Sequence, residues 1–201
     1  MRPKILNLYA GIGGNRYLWK DCDVTAVEKD VQAARIYSRL FPDDHVCITD
    51  AKEYLLRNIM KYDFIWASPP CQSHSKLNTT GNLPLAYPDL SLYQMIIYLQ
   101  QNAKCPWIVE NVDPYYDPLI ATPYKIDRHI FWSDYYLPPF DVPREKGIVS
   151  MSGGDIAKWL QMDFKGLKPT RQMLRNCVHP VIGKILFDVR PKEQEELCLA
   201  K

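Results

Sequence analysis

The sequence lacks long apolar runs, a strong excess of charge of either sign, and cysteine pairs at metal-binding spacing. No apolar stretch approaches the ~18 residues that a membrane span needs. The first residues, MRPKILNLYAGIGG, contain neither the apolar core nor the small-residue cleavage site of a signal peptide. These absences predict a soluble intracellular protein with no membrane partner.

Histidine is scarce and cysteine is scattered, with four and six residues respectively. No two cysteines form a CxxC pair, which argues against a structural zinc site, and an intracellular chain of this size does not call for a disulfide framework. We therefore expect no metal. The formal net charge of +2 is too small to identify a nucleic-acid-binding protein, although clustered charge could still serve one.

Hydrophobic patterning over the 201 residues is typical of a single α/β domain. We predict a domain over 1–190 and a charged tail over 191–201. Strands are expected at 4–9, 24–28, 45–48, 63–67, 107–110, 126–132 and 135–137, and helices at 15–20, 30–41, 52–60, 90–102, 155–162, 170–176 and 181–187. Alternating strands and helices predict a mostly parallel sheet with helices on both faces.

The unusual residues follow the predicted strands, at the edge of the sheet where ligands bind in this fold class. The turn AGIGG follows the first strand, Glu28 the second, Asp50 the third, SPPCQ the fourth and ENV the fifth. The absence of a GK[ST] phosphate loop makes a nucleoside triphosphate an improbable ligand. The glycine turn with Glu28 instead suits a nucleoside-type cofactor without pyrophosphate, whose ribose hydroxyls the carboxylate would bind.

Two prolines immediately before Cys71 restrict the backbone, and they are expected to present its thiol at the end of the fourth strand. A thiolate in that position can serve as a covalent nucleophile, and we expect Cys71, alone among the six cysteines, to lie in an open, ionising pocket. Glu110 ends the neighbouring strand, so its carboxylate would face Cys71 across one cleft.

In this order along the chain, the motifs resemble those of the DNA cytosine-5 methyltransferases. LNLYAGIGG, VEKD, TDA, SPPCQ, ENV, IDRHIFW and RNCVHP are similar to successive motifs of that family, over roughly residues 4–187. The resemblance implies a Rossmann-like S-adenosylmethionine-dependent methyltransferase fold. It also implies transfer of a methyl group to C5 of cytosine, after addition of the Cys71 thiolate to C6 of a base flipped out of the duplex.

The resemblance further implies the role of each motif. Cys71, Glu110 and Arg128 would be catalytic, with Glu110 contacting N3 and the exocyclic amine of the base and Arg128 holding the base and that carboxylate. S-adenosylmethionine would bind at Tyr9, Ala10, Gly11, Gly13, Gly14, Glu28, Lys29, Asp50, Ala51, Pro70, Asn176 and Val178. Nucleic acid would contact Gln72, Ser73, Lys76 and Asn78 in a loop over 73–86, and a basic group formed by Lys165, Lys168, Arg171 and Arg175.

The chain departs from the family in three places, one of which is Arg175, where the closing motif usually has Gly. Residues 133–174 form only a short insert where the family has a target-recognition domain, which suggests relaxed specificity or a separate recognition subunit. Asp127, Arg128 and His129 stand where a Gln and two arginines are usual. DNA is the expected partner, and a restriction-modification setting in the cytoplasm of a bacterium or a virus-infected host cell suits so small an enzyme.

Three alternatives stay open on the sequence. SPPC differs in its fourth residue from the motif of enzymes that methylate the exocyclic amine of N4-cytosine or N6-adenine. The short insert is also compatible with cytosine-5 methylation of RNA or of a free nucleotide. Finally, the chain could be a cofactor-binding subunit that needs a partner.

Overall fold

The computed structural model describes residues 1–76, 87–121, 124–140, 148 and 150–191. Its strands are β1 (Lys4–Leu8), β2 (Asp23–Val27), β3 (His45–Cys47), β4 (Phe64–Ala67), β5 (Trp107–Val112), β6 (Tyr124–Ile126) and β7 (His129–Ser133). Its helices are α1 (Val31–Leu40), α2 (Ala51–Asn58), α3 (Ser91–Asn102), α4 (Gly153–Leu160), α5 (Arg171–Arg175) and α6 (Pro180–Asp188), and a 3-10 turn, Ile59–Lys61, follows α2.

The strands form one sheet in the order β3-β2-β1-β4-β5-β7-β6. The first five in sequence pair in parallel, while β7 runs antiparallel to both β5 and β6. The predicted α/β fold with a mostly parallel sheet is therefore confirmed. The order reverses direction at β1, so the carboxyl ends of β1, β2, β4 and β5 lie at one edge of the sheet, beside the point where ligands bind in such folds.

Apolar side chains cover both faces of the sheet, as its nearly continuous hydrophobic strands require. Leu6 and Leu8 of β1 pack with buried residues of α2 and α3, such as Leu55 and Leu99. On the opposite face Ile5 packs with Trp66 and with residues of α6, including Ile182 and Leu186. A third cluster joins α1 to the segment around α4.

Residue types that favour the start of a helix are found at the beginning of α1, α2 and α6. Asp30 and Asp50 each accept hydrogen bonds from two backbone N–H groups, at the first turns of α1 and α2 respectively. Pro180 occupies the first turn of α6, where its missing N–H costs nothing.

Three predicted elements differ in the structure. The helix expected over 15–20 is a series of turns, because Asn15 is buried and bonded to Asn7 from β1. The strand expected over 126–132 is split into β6 and β7 by a turn at Asp127, whose φ of 55° is left-handed. Residues 135–137 form no strand, and the Tyr135 hydroxyl instead donates to the Leu186 carbonyl of α6.

None of the helices in the described residues is both long and apolar enough to cross a bilayer. In the same residues, no group of three or more His, Cys, Asp or Glu side chains is arranged to hold a metal ion. The division of the chain into a domain over 1–190, with a short insert over 133–174 and a tail, stays a prediction.

Candidate active site

A cleft of about 900 Å³ opens at the carboxyl ends of the parallel strands. It is at the upper end of the ~300–1,000 Å³ that small-molecule sites span. Fourteen of the residues predicted for the site line it: Tyr9, Ala10, Gly11, Gly14, Glu28, Pro70, Cys71, Gln72, Lys76, Glu110, Arg128, Arg175, Asn176 and Val178. The cleft thus joins motifs that lie more than 160 residues apart in the sequence.

Other predicted residues lie outside the lining of this cleft, namely Gly13, Lys29, Asp50, Ala51, Ser73, Lys165, Lys168 and Arg171. Asp50 caps α2 through one carboxylate oxygen, while the other oxygen lies 3.9 Å from Lys29 Nζ. The hydroxyl of Ser73 accepts from the backbone N–H of Asp89. Asn78 is outside the described residues.

The turn after β1 is built from left-handed residues. Tyr9, Gly11 and Gly13 have φ values of 54°, 54° and 84°. For Tyr9 this conformation costs about 1–2 kcal/mol, a strain that persists only where surrounding contacts impose it. At Gly11 an added Cβ would meet no atom within 4 Å, so this part of the turn borders open space in the cleft.

Glu28 connects the glycine turn to the end of β2. Its carboxylate accepts from the backbone N–H of Gly11 at 2.7 Å and from that of Asp30 at 2.8 Å. The bidentate arrangement fixes a negative charge beside the open space at Gly11. A carboxylate there suits a pair of ribose hydroxyls, so these residues fit the nucleoside part of S-adenosylmethionine.

Gly14 brings the C-terminal segment to the cleft. A Cβ at this position would lie 2.6 Å from the Val178 carbonyl oxygen and 2.7 Å from the Cys177 Cβ. Only glycine permits this approach, because both atoms belong to a packed segment that has no room to move. The glycine turn therefore serves the fold as well as the cleft.

Cys71 is half-buried at the end of β4, in a loop held from several sides. The buried Asn111 side chain donates to the Pro69 carbonyl at 3.0 Å. The backbone N–H groups of His74 and Ser75 donate to the Cys71 carbonyl. These bonds and the two prolines fix the thiol in the cleft.

The thiol is less acidic than an open, ionising pocket would make it, which was the sequence-based expectation. The pKa of Cys71 is raised to about 11, first by burial and then by the Glu110 carboxylate, although Arg128 and Arg175 act to lower it. The protein alone therefore holds a neutral thiol at pH 7. The opposing effects of Glu110 and the two arginines make its ionisation sensitive to any change of charge in the cleft.

Glu110 is buried, with 5% of its surface exposed, and it lies on β5 beside the Cys71 loop. Its Oε1 is 2.5 Å from Nδ1 of His129, the first residue of β7. Sequence reasoning missed this partner. The available signal was that His129 immediately follows Arg128 in the motif expected to hold the carboxylate.

Arg128 lies in the cleft and also has a structural contact. Its Nη2 donates to the backbone carbonyls of Arg175 at 2.8 Å and of Cys177 at 3.3 Å. The guanidinium thus anchors the segment after α5 while it favours the Cys71 thiolate. Its predicted contact with a bound base stays a prediction.

The residues predicted to contact nucleic acid are spread around the cleft. Lys76 at its border forms an ion pair with Asp113, at 2.5 Å. Arg175 is half-buried in the cleft, whereas Lys165, Lys168 and Arg171 are exposed. The side chain of Arg171 donates to the Met151 carbonyl.

Comparison with known proteins identifies a family in the N-terminal part of this chain and several partial relatives. The family model described as C-5 cytosine-specific DNA methylase matches residues 3–114. A tRNA (cytosine(38)-C(5))-methyltransferase of Spodoptera frugiperda is 34% identical over 83 residues, which are 38% of this chain and 25% of that protein. The protein of the same name from Mus musculus is 29% identical over 91 residues, or 41% and 22% of the two chains.

The chain thus covers no more than about a quarter of these curated relatives. A solved structure of a Spodoptera frugiperda DNMT2 mutant overlaps 55% of this chain and 36% of its own, at 27% identity and a TM-score of 0.38. The family match is the stronger finding, since it spans more than half of the 201 residues and contains both Cys71 and Glu110. The chain belongs to the C-5 cytosine-specific DNA methylase family, and its cofactor is S-adenosylmethionine.

Proposed function

We propose that this chain methylates C5 of cytosine in a nucleic acid, through a covalent bond between Cys71 and C6 of the base. The observation that carries the proposal is the shared cleft. The Cys71 thiol and the Glu110 carboxylate line it together, close enough for the carboxylate to raise the pKa of the thiol, and the Gly11–Glu28 corner lines it too.

In this proposal the Cys71 thiolate forms the Sγ–C6 bond, and the electron pair of the C5=C6 double bond shifts to C5 and the conjugated ring, which makes C5 nucleophilic. After C5 has gained its methyl group, a solvent water takes up the proton of C5. The returning electron pair restores the double bond and expels the Cys71 thiolate. The thiol itself has to lose its proton first, and Arg128 and Arg175 favour that loss electrostatically.

Glu110 would hold the base in this scheme, where its carboxylate accepts a hydrogen bond from the exocyclic amine and stabilises a proton that N3 takes up from solvent. Protonation of N3 draws electron density from the ring and makes C6 more electrophilic. Hydrogen bonds from the base would also partly neutralise the negative charge of Glu110 and so weaken its effect on Cys71. Since that charge raises the pKa of Cys71, binding of the base would favour the thiolate at the moment when it is needed.

Bound in the cleft, S-adenosylmethionine supplies the methyl group. The residues that we propose to hold it are the ones that the structure places in its lining: Tyr9, Ala10, Gly11, Gly14, Glu28, Pro70, Asn176 and Val178. Gly13, Lys29, Asp50 and Ala51 lie outside this lining, and Asp50 and Ala51 form the start of α2.

DNA is the first substrate that we propose, in accord with the family description. RNA is the second candidate, because both curated relatives named above are tRNA cytosine-5 methyltransferases. Family membership favours C5 over an exocyclic amine as the acceptor. A separate recognition subunit remains part of the proposal, since residues 133–174 are few.

The test is to incubate purified protein and S-adenosylmethionine with mixed-sequence duplex DNA, with tRNA and with free dCMP, and to identify the methylated nucleosides by mass spectrometry. Cys71→Ala should lower 5-methylcytosine at least about 10³-fold, since the covalent route is lost. Cys105→Ala is the matched control, because Cys105 is buried just before β5, away from this edge of the sheet.

Each outcome assigns a substrate or removes the proposal. 5-Methylcytosine in DNA alone supports the first candidate, and in tRNA alone the second. N4-methylcytosine or N6-methyladenine formed equally well by Cys71→Ala would overturn the covalent mechanism. If the cofactor binds but no substrate is methylated, with or without added cell extract as a source of a recognition subunit, the proposed function fails.

A further inference from the structure

The Glu110 carboxylate is nearly inaccessible to solvent, and His129 is its hydrogen-bond partner. His129 is 3% exposed and Glu110 is 5% exposed. Nδ1 of His129 lies 2.5 Å from Oε1 of Glu110, within hydrogen-bonding distance. Both residues line the cleft.

The strand pairing explains why these two side chains meet. Val112 of β5 stands opposite His129 of β7 in the antiparallel register, and Glu110 is two residues before Val112, on the same face of the sheet. Diagonal neighbours of this kind lie within reach of long side chains. The contact is therefore fixed by two paired strands rather than by a loop.

A buried carboxylate without a donor would carry a large desolvation penalty. Among the described residues, His129 provides the side-chain hydrogen bond to Glu110, and it engages only Oε1. Oε2 has no hydrogen-bond partner in that part of the chain, and the residue borders the cleft. The pair thus commits one oxygen to the protein and leaves the other for a ligand.

We propose that His129 is a positioning residue, which donates a hydrogen bond from Nδ1 to Glu110 Oε1 and thereby aims Oε2 at the cytosine. The proposal rests on the proposed function, because it gives Glu110 its role at the base. His129 itself touches no reacting atom. It acts only by fixing the rotamer and keeping the carboxylate ready to accept a hydrogen bond.

Two substitutions separate this role from simple packing. His129→Leu removes the donor and keeps an apolar side chain in the buried position. His129→Asn retains an N–H donor at a similar distance from the backbone as Nδ1. We expect His129→Leu to lower kcat about 10- to 100-fold, which is the effect that a displacement of a reacting group by ~1 Å can cause. KM for the nucleic acid should stay within about threefold of the wild-type value. His129→Asn should regain most of the lost kcat.

A double-mutant cycle with Glu110→Gln makes the test specific. If His129 acts through Glu110 alone, adding His129→Leu to Glu110→Gln should change kcat less than twofold. Equal losses in His129→Leu and His129→Asn, or a full second loss in the double variant, would overturn the proposal. If the wild type forms no 5-methylcytosine on any substrate, the proposed function fails as a whole. If the wild type is active and His129→Leu leaves kcat unchanged, only the proposed role of His129 fails.

Folding of the His129→Leu protein is checked by its thermal transition. If that variant does not fold, a measurement on the wild type still tests the proposal. In protein labelled with ¹⁵N-histidine, the His129 Nδ1 should carry a proton with a strongly deshielded shift. Glu110→Gln should move that signal upfield, whereas Glu53→Gln, an exposed acid on α2, should not. An unprotonated Nδ1 in the wild type would also overturn the proposal.

Discussion

The cleft is built from two regions of very different character. Residues 3–114 match the family model and contribute short motifs, each placed at the carboxyl end of a parallel strand. Residues 124–191 lie outside that match, and their strands are antiparallel. Even so, they supply Arg128, His129, Arg175 and Val178 to the same cleft.

The difference shows how each region contributes. In the function that we propose, the first region carries the groups that act on the base, the Cys71 thiol and the Glu110 carboxylate. The second region sets their state, since His129 binds the carboxylate and Arg128 and Arg175 favour the thiolate. If this division is correct, damage to the first region should abolish chemistry in a folded protein, and damage to the junction between the regions should cost stability.

Among the tests of this comparison between the two regions, the largest effect is expected for Glu110→Gln. Loss of the carboxylate should lower turnover several hundredfold, within the 10²–10⁴-fold range typical of a proton-handling side chain. Binding of S-adenosylmethionine, measured by calorimetry, should stay near the wild-type value because Glu28 and the glycine turn are untouched. Glu53→Gln is the control and should turn over normally. Loss of cofactor binding in Glu110→Gln would contradict the division, since it would place Glu110 in the cofactor site.

The junction between the regions is tested next, at Gly183 in α6. A Cβ there would lie 2.2 Å from the Asn15 carbonyl oxygen, and the Gly183 carbonyl accepts a hydrogen bond from the Trp19 indole. Alanine favours a helix by up to ~1 kcal/mol, but overpacking against backbone costs about 1–3 kcal/mol or more, so packing should prevail.

Urea denaturation should therefore give a lower free energy of unfolding for Gly183→Ala. Gly154→Ala in α4 is the matched control, since the nearest atom to its Cβ would be 3.8 Å away. It should be neutral or slightly stabilising. A Gly183→Ala protein as stable as the wild type would mean that α6 does not depend on its contact with the N-terminal turn.

The sequence predicted the first region better than the second, and the reason is physical. A parallel sheet brings strand ends together whatever the details of register, so Cys71 and Glu110 could be placed in one cleft from the order of the motifs. The contact between Glu110 and His129 depends on the antiparallel register of β5 and β7, in which Val112 faces His129. A turn at Asp127 sets that register, and the pattern over 126–132 indicated one unbroken strand.

A similar limit applied to the acidity of Cys71. The motif predicted a nucleophile and hence an ionising pocket, but the pKa depends on burial and on which charges lie nearby. Arg128 and Arg175 lower the pKa of Cys71, whereas burial and Glu110 raise it. Which influence is larger cannot be judged before the side chains are placed. The reactive group was predictable from the local sequence, whereas its ionisation state required the tertiary structure.

A smaller effect should appear in the reactivity of Cys71 towards iodoacetamide. With a pKa of about 11, the thiolate fraction and therefore the alkylation rate should rise about tenfold for each pH unit between 7 and 10. Glu110→Gln removes a charge that raises this pKa, so at pH 8 it should be alkylated faster although it methylates more slowly. Peptide mapping by mass spectrometry gives the rate at Cys71. A plateau near pH 8.5, or slower alkylation of Glu110→Gln, would show that the two groups are not coupled.

The smallest effect is expected at the border of the cleft, where Asp113 Oδ2 accepts from Lys76 Nζ at 2.5 Å and from Lys125 Nζ at 2.7 Å. Burial would raise the pKa of Asp113, but the hydrogen bonds and charges of the two lysines outweigh burial and lower the pKa. The carboxylate therefore stays ionised down to acidic pH and competes with phosphates for both lysines, one from each region of the molecule.

Asp113→Asn should accordingly tighten nucleic-acid binding a few-fold at low salt. The dependence of log Kd on log salt should become steeper by about one to two units, because each released lysine takes up a phosphate contact. Stability should change by less than ~1 kcal/mol, because both lysines are more than half exposed. Asp117→Asn changes the net charge equally at an exposed position. Fluorescence anisotropy over a salt series compares the two variants, and equal slopes would show that Lys76 and Lys125 do not contact the nucleic-acid backbone.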